Sequence, residues 1–191
     1  MKQFPIYRLV IKDEDDNMGV NFVALVDEPA IESNFFAFSD QLRFIADKER
    51  RIITGALMIA DLPIYRRNEK MGEFYVVFDK IQIEKIVQRF MKKGYHDNVN
   101  KMHDGSQVVD GVFMYESFIT DSQRGILAPK NFNNIPDGSW FGSYKVENDE
   151  IWNEFIKTGE FKGFSVEGLF DMIPERTALE SEIIDIIKSI N

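Results

Sequence analysis

The sequence predicts an α+β domain, with a mostly antiparallel β-barrel or strongly curved sheet flanked by helices. Three observations lead there. Short runs rich in β-branched and aromatic residues, bounded by turn residues, recur along the chain. One stretch, Lys80 to Lys93, carries a clear helical period. Strands and helices do not alternate as regular βαβ units, so a parallel doubly wound sheet is not expected.

The elements follow in chain order. "PIYRLVIKDEDDNMGVNFVALVDEP" reads as two strands joined by an acidic turn, the second stopping before Pro29. The next stretch, "NFFAFSDQLRFIADKERR", fits short strands or an irregular arm. "RIITGALMIADLPIYR" reads as a long strand broken at Pro63, and "GEFYVVFD" as its neighbour across a "RRNEKMG" hairpin or loop. Asp79 is the expected N-cap of the helix, with Gln82 placed for a capping box and Phe78 and Ile83 for a hydrophobic staple. Ile83, Ile86, Val87, Phe90 and Met91 form its apolar stripe, and Gly94 supplies the stop.

Beyond a polar stretch that holds both histidines, "QVVDGVFMYESFIT" is apolar on both faces and is expected as a central strand. Residues Asp121 to Gly138 read as a long loop, and "SWFGSYKV" as a further strand. Asn148 is placed to cap a short helix that ends at Gly159. "KGFSVEGLFDMI" reads as one more strand. Pro174 is expected to open a final helix with Leu179, Ile183, Ile187 and Ile190 on one face.

Composition narrows the function. The 191 residues suit one domain, and 17 phenylalanines point to an aromatic core or interface. A formal net charge of −9 argues against nucleic acid as a partner, because phosphate binding depends on Lys and Arg displacing counterions. No apolar run approaches the ~18 residues of a membrane span, and the N-terminus lacks the features of a signal peptide. With no cysteine, thiol catalysis and thiolate metal sites are excluded. With two histidines, His96 and His103, a three-histidine metal site is excluded as well. No cofactor motif is present. The acidic run Asp13–Asp16 lacks the spacing of a calcium loop and reads as a solvated turn.

The candidates for chemistry are few. Ser165 sits in "GFSVEG", inside an expected strand. The second glycine falls one residue too late for a G-x-S-x-G nucleophile elbow. Gly163 and Gly168 mark places where another backbone can approach closely, and a peptide substrate would be such a backbone. The alternative is a buried serine bonded to a neighbouring carbonyl. His103, at a loop–strand boundary, is a candidate general base, or else a solvated loop histidine. His96 has the same two readings, or complements a helix C-terminus. Glu116 lies among apolar residues and needs a partner, for which a histidine is suited. The alternative is a position where it meets water. Glu167 and Asp171 share a strand face with Ser165 and are also candidate orienting acids.

Taken in order, "ITGALMIADLPIYR", "NKMH", "MYESFI", "GSWFGSYKV" and "IWNEFIKTGEFKGFSVEG" resemble the XkdF-like serine protease family of tailed bacteriophages, relatives of the prohead proteases. The opening "GVNFVALVDEPAIESNFFAF" is similar to the leader that precedes that domain. The resemblance implies a fold like the herpesvirus assembly protease, a small β-barrel wrapped by helices. It implies leader strands and an arm over 1–46 and a protease-like barrel over 47–173, followed by the amphipathic C-terminal helix that the apolar stripe predicts over 174–191. It implies a serine endopeptidase with Ser165 as nucleophile and His103 as general base. Glu116 is favoured as third member over Glu167, Asp171 and His96; the Ser-His-His order of the herpesvirus enzymes is not matched, because His96 does not follow Ser165. Oxyanion donors are expected from the loop Asp121 to Gly138. Implied substrates are phage scaffold and major capsid proteins, cut by a homo-oligomer inside the assembling prohead in the host bacterial cytoplasm. The competing expectation is a non-catalytic virion assembly protein with a degenerate protease fold.

Overall fold

The computed structural model describes residues 4–27 and 43–175. Two expected features, the first half of the "NFFAFSDQLRFIADKERR" arm and the stripe from Leu179 to Ile190, lie outside the described residues. Among the described residues twelve strands are formed: β1 (Ile6–Val10), β2 (Gly19–Val26), β3 (Ile45–Asp47), β4 (Ile52–Met58), β5 (Ile64–Asn68), β6 (Gly72–Val77), β7 (Val99–Lys101), β8 (Asp104–Val108), β9 (Val112–Ile119), β10 (Trp140–Val146), β11 (Gly163–Leu169) and β12 (Asp171–Pro174). The α-helix α1 (Lys80–Lys92) stands between β6 and β7.

The strands form three four-stranded sheets, ordered β12-β1-β6-β5, β3-β4-β10-β9 and β11-β2-β7-β8. The α+β, strand-rich expectation is met, but the pairing among the described residues does not close into a barrel. A barrel requires every edge to be paired, and each of these sheets ends on two open edges. Nor is pairing wholly antiparallel. β1 runs parallel to β6, and β2 parallel to β7. Parallel neighbours need a long crossover, and the chain between β2 and β7 supplies one.

The helix forms where its period places it. Asp79 Oδ1 accepts the Gln82 N–H at 2.7 Å, and Gly94, at φ +70°, ends the last turn. Ile83, Ile86, Val87 and Phe90 are buried, each contributing roughly 1.5–3 kcal/mol by leaving water. Gln82 does not complete a capping box. Its Oε1 accepts the Ile11 N–H at 3.0 Å and ties α1 to the end of β1. The acidic turn is held from the same helix. Arg89 donates to the carbonyls of Lys12, Asp15 and Met18, and Lys85 meets Asp13.

Three further expectations are corrected. The stretch 107–120 is not one central strand. Asp110–Gly111, with Gly111 at φ +73°, turns the chain between β8 and β9, and Gly111 C=O accepts the Glu147 and Asn148 N–H groups. β9 then lies at a sheet edge, where Tyr115 is exposed. "KGFSVEGLFDMI" divides at Phe170 into β11 and β12, which belong to different sheets. Pro174, expected as a helix opener, itself ends β12, opposite Tyr7 of β1 on a sheet edge, where the missing N–H is tolerated; the residues after Glu175 lie outside the described residues. The short helix after Asn148 forms as a π-helical segment, Ile151–Ile156, with Asn148 Oδ1 accepting the Ile151 N–H. Its wider turn seats Ile151, Trp152 and Ile156 in the core and leads into β11.

The main core lies between the sheets and α1, around Trp140, Trp152, Tyr144 and Phe90. Both strands from the expected leader are built into this body: β1 sits between β12 and β6, and β2 between β11 and β7.

Candidate active site

β11 alternates. Phe164 and Val166 pack on the main core, so Ser165 and Glu167 share the opposite face. Register then sets the neighbours. Ser165 is opposite Ala24 of β2, and Ala24 is opposite Asn100 of β7, so one row crosses three strands. Ser165, Ala24 and Asn100 are buried. After Glu167 the ladder slips, with Glu167 opposite Phe22 and Gly168 opposite Val20. Such a bulge re-aims the strand. Gly168 is required there, since a Cβ on it would stand 2.0 Å from the Gly19 carbonyl oxygen. The close backbone approach expected near Ser165 is thus, at Gly168, made by β2.

The histidine comes from a hairpin tip. Lys101 pairs with Asp104, leaving Met102 and His103 as a two-residue turn with φ of +52° and +61°. Positive φ at both central positions is the I′ geometry that suits strand twist, but it usually takes Asn or Gly. Left-handed backbone costs roughly 1–2 kcal/mol for each of these residues. The Met102 N–H, donated to Leu25 C=O at 3.0 Å, pins the turn to β2.

The turn brings His103 Nδ1 to 3.2 Å from Glu167 Oε1. The same oxygen accepts Asn100 Nδ2 at 2.6 Å. The carboxylate is therefore held from two sides, by the base of the hairpin and by its tip. It favours the imidazole tautomer with hydrogen on Nδ1, which leaves the Nε2 lone pair for another proton. The buried Ser165 hydroxyl has no hydrogen-bond partner among the described residues, His103 included.

The other candidate acids sit elsewhere. Glu116 is on β9, where its Oε2 accepts the Ser143 hydroxyl at 2.8 Å; Ser143 in turn is 2.8 Å from Thr54 Oγ1. This polar row crosses β4, β10 and β9 in the second sheet and contains no histidine. Glu116 is met by the Ser143 hydroxyl, not by an imidazole. Asp171 pairs with Lys12 at 2.5 Å. His96 lies in a 3-10 turn after α1 and lines a small pocket with Asp97 and Asp110. Among the described residues, no three His, Asp or Glu side chains converge as a metal-ligating group.

A cavity of about 670 Å³ adjoins β11 from Phe164 to Phe170, Ser165 and Glu167 included. Its far wall is apolar, formed by the end of β4, Leu62, Ile64 and Phe78. No residue of the loop Asp121 to Gly138 lines it, so that loop is not placed to donate to an oxyanion in this cavity. Tyr144 packs on Phe164 from behind, ring centroids 4.9 Å apart, and its burial pushes the phenol pKa far up, keeping it neutral.

Residues 41–174 match the family model described as "Putative phage serine protease XkdF". The chain belongs to this phage serine protease family. The matched region contains Ser165, His103, Asn100, Glu167 and Glu116, and leaves β1 and β2 of this family member outside it. No curated protein and no solved structure matches the chain. No helix among the described residues of this family member is long and apolar enough to cross a membrane.

Asn100 carried no signal in the sequence, since its role depends on a parallel pairing. Glu167 had one: its i, i+2 spacing from Ser165. What pattern alone did not supply was the position of the hairpin tip above it.

Proposed function

We propose that this chain is a serine endopeptidase in which Ser165 is the nucleophile, His103 the general base and Glu167 the acid that orients it. The observation that carries this reading is the His103–Glu167 pair, 3.2 Å apart, with Glu167 on the same strand face as Ser165. Glu167 takes the third role in place of Glu116, because Glu116 is engaged by Ser143. Asn100 holds the shared Glu167 oxygen and is a positioning residue.

In the acylation step, His103 Nε2 takes the proton from Ser165 Oγ as that oxygen bonds to the scissile carbonyl carbon. Glu167 stabilises the imidazolium that results. The imidazolium then protonates the leaving amine as the C–N bond breaks, giving an acyl-enzyme and the new N-terminus. Water, deprotonated by His103, releases the acyl group and restores the serine. Catalytic hydrogen bonds in free enzymes are often long and tighten on substrate binding, which accommodates a Ser165 hydroxyl that is not hydrogen-bonded to His103. On this reading the substrates are phage scaffold and major capsid proteins, and the enzyme works as a homo-oligomer inside the assembling prohead, in the host cytoplasm.

The test is intact mass after treatment with a fluorophosphonate. A single adduct on wild type that is absent from Ser165→Ala and strongly reduced in His103→Ala supports the reading. Ser165 is only 4% exposed, and this favours one competing reading, a virion assembly protein of the same fold without catalysis. No adduct, with or without scaffold protein added, would select it.

A further inference from the structure

β11 is the edge strand of its sheet, and the cavity runs along its open side. Seven consecutive residues, Phe164 to Phe170, line that cavity. Side chains alternate between faces along a strand, so what these residues share is the strand edge.

The direction of the backbone groups follows from β2. Val23 N–H donates to Asn98 C=O, and Leu25 C=O accepts from Met102 N–H, so residues 23 and 25 turn their backbone groups toward β7. Ala24 therefore turns its groups toward β11, where its partner is Ser165. The groups of Phe164 and Val166, on either side of Ser165, then point out of the sheet along the open edge. No described strand pairs with them. One residue already uses the start of this edge: Phe44 N–H donates to Lys162 C=O at 2.8 Å, and its ring packs on Phe164 with centroids 5.6 Å apart.

We propose that this edge takes up an extended peptide as an added strand, and that the adjoining cavity receives a large apolar side chain of that peptide. Strand addition supplies affinity through main-chain hydrogen bonds, and a neighbouring pocket supplies specificity. The volume lies within the usual range for ligand pockets, roughly 300–1,000 Å³. Leu57, Met58, Ile59, Leu62, Ile64 and Phe78 form its apolar wall. Asn21, Arg66, Ser165 and Glu167 supply the polar part of the lining; against the apolar wall an aspartate or lysine side chain would lose its hydration, whereas Leu, Met or Phe would gain by burial. The inference rests on the serine protease reading in naming this peptide as the substrate; the binding itself does not depend on Ser165 chemistry.

The experiment uses the full chain as Ser165→Ala and fluorescent unstructured peptides that differ only at one central residue. Fluorescence anisotropy is expected to show the Phe or Leu peptide binding at least about tenfold more tightly than its Asp, Lys or Gly counterparts. N-methylation of alternate backbone amides in the Phe peptide is expected to abolish binding, because it removes strand pairing while leaving the side chain. Ile64→Glu in the same background is expected to erase the apolar preference. Equal binding of all central residues, or full binding of the N-methylated peptide, would overturn the proposal. The N-methyl arm stands even if Ile64→Glu perturbs folding. Fluorophosphonate labelling of wild type reports separately on the nucleophile. Apolar-selective binding without an adduct supports this site and removes the catalytic reading. An adduct with no apolar preference removes this site and keeps the catalytic reading.

Discussion

His103 Nδ1 stands 3.2 Å from Glu167 Oε1, joining a hairpin tip to the strand that carries Ser165. If that pair orients the base, Glu167→Gln should lower the rate of fluorophosphonate acylation or peptide hydrolysis by about 10²–10⁴-fold. Glu116→Gln should leave the rate close to wild type and cost on the order of 1 kcal/mol through its altered bond to Ser143. A Glu116→Gln loss as large as that of Glu167→Gln would reverse the assignment.

Gly168→Ala should destabilise the fold by roughly 1–3 kcal/mol, since overpacking forces the backbone to shift. The added Cβ would meet the Gly19 carbonyl oxygen, part of β2 and not a movable side chain. Urea unfolding measures the cost. A midpoint unchanged from wild type would show that the bulge is not held as described.

Tyr144→Phe should be stabilising, by about 1–3 kcal/mol, the penalty of leaving a buried polar group unsatisfied. The Tyr144 hydroxyl is buried without a hydrogen-bond partner among the described residues, while its ring is packed against Phe164. Phenylalanine keeps the ring and removes the orphan. Thermal and urea unfolding should both move upward.

Asp79→Ala should cost about 1 kcal/mol at neutral pH, the usual worth of an N-cap. Burial alone would raise the Asp79 pKa, but the Gln82 amide and the Arg8 guanidinium outweigh it and hold it below the usual carboxylate range. A depressed folded-state pKa gives stability that is complete above the unfolded value of about 3.9 and lost as pH falls through the folded value. The gap between wild type and variant should therefore be constant near neutrality and shrink below about pH 4. A gap that persists undiminished in strong acid would contradict the charge-based part of the cap.

A fragment spanning only 41–174 should fail to fold. It would lack β2, which fills the space between β11 and β7 and places Val20, Val23 and Leu25 in the core. It would also lack β1, the partner of both β12 and β6. Circular dichroism and amide-proton dispersion in solution would show the outcome, and a folded fragment would assign the first two strands a dispensable role.

Local patterns carried much of the architecture. α1 is legible from the spacing of Ile83, Ile86, Val87 and Phe90 and from its end signals Asp79 and Gly94, because those forces act within one or two turns. The hairpin through "RRNEKMG" is legible for the same reason, and β5 and β6 pair across it from Ile64↔Val76 to Asn68↔Gly72. The stretch 107–120 was harder, because its apolar residues outweighed the short Asp110–Gly111 turn signal. Pro174 reads as a helix opener, but proline is also tolerated at the end of an edge strand, and its pairing with β1 places it there. The family was legible in the ordered motifs ending in "GFSVEG".

The sequence by itself determined which residue types were available: one serine between glycines, two histidines and several acids. It did not decide which acid meets which histidine. Glu116 and Glu167 both lie in strands among apolar neighbours, and periodicity treats them alike. The choice came from non-local pairing. β2 placed between β11 and β7 brings Asn100 and the His103 turn over Glu167, while β10 gives Glu116 the Ser143 hydroxyl. Strand order is set by the burial of whole sheet faces, a sum over residues far apart in the chain, and so it leaves little trace in any short stretch.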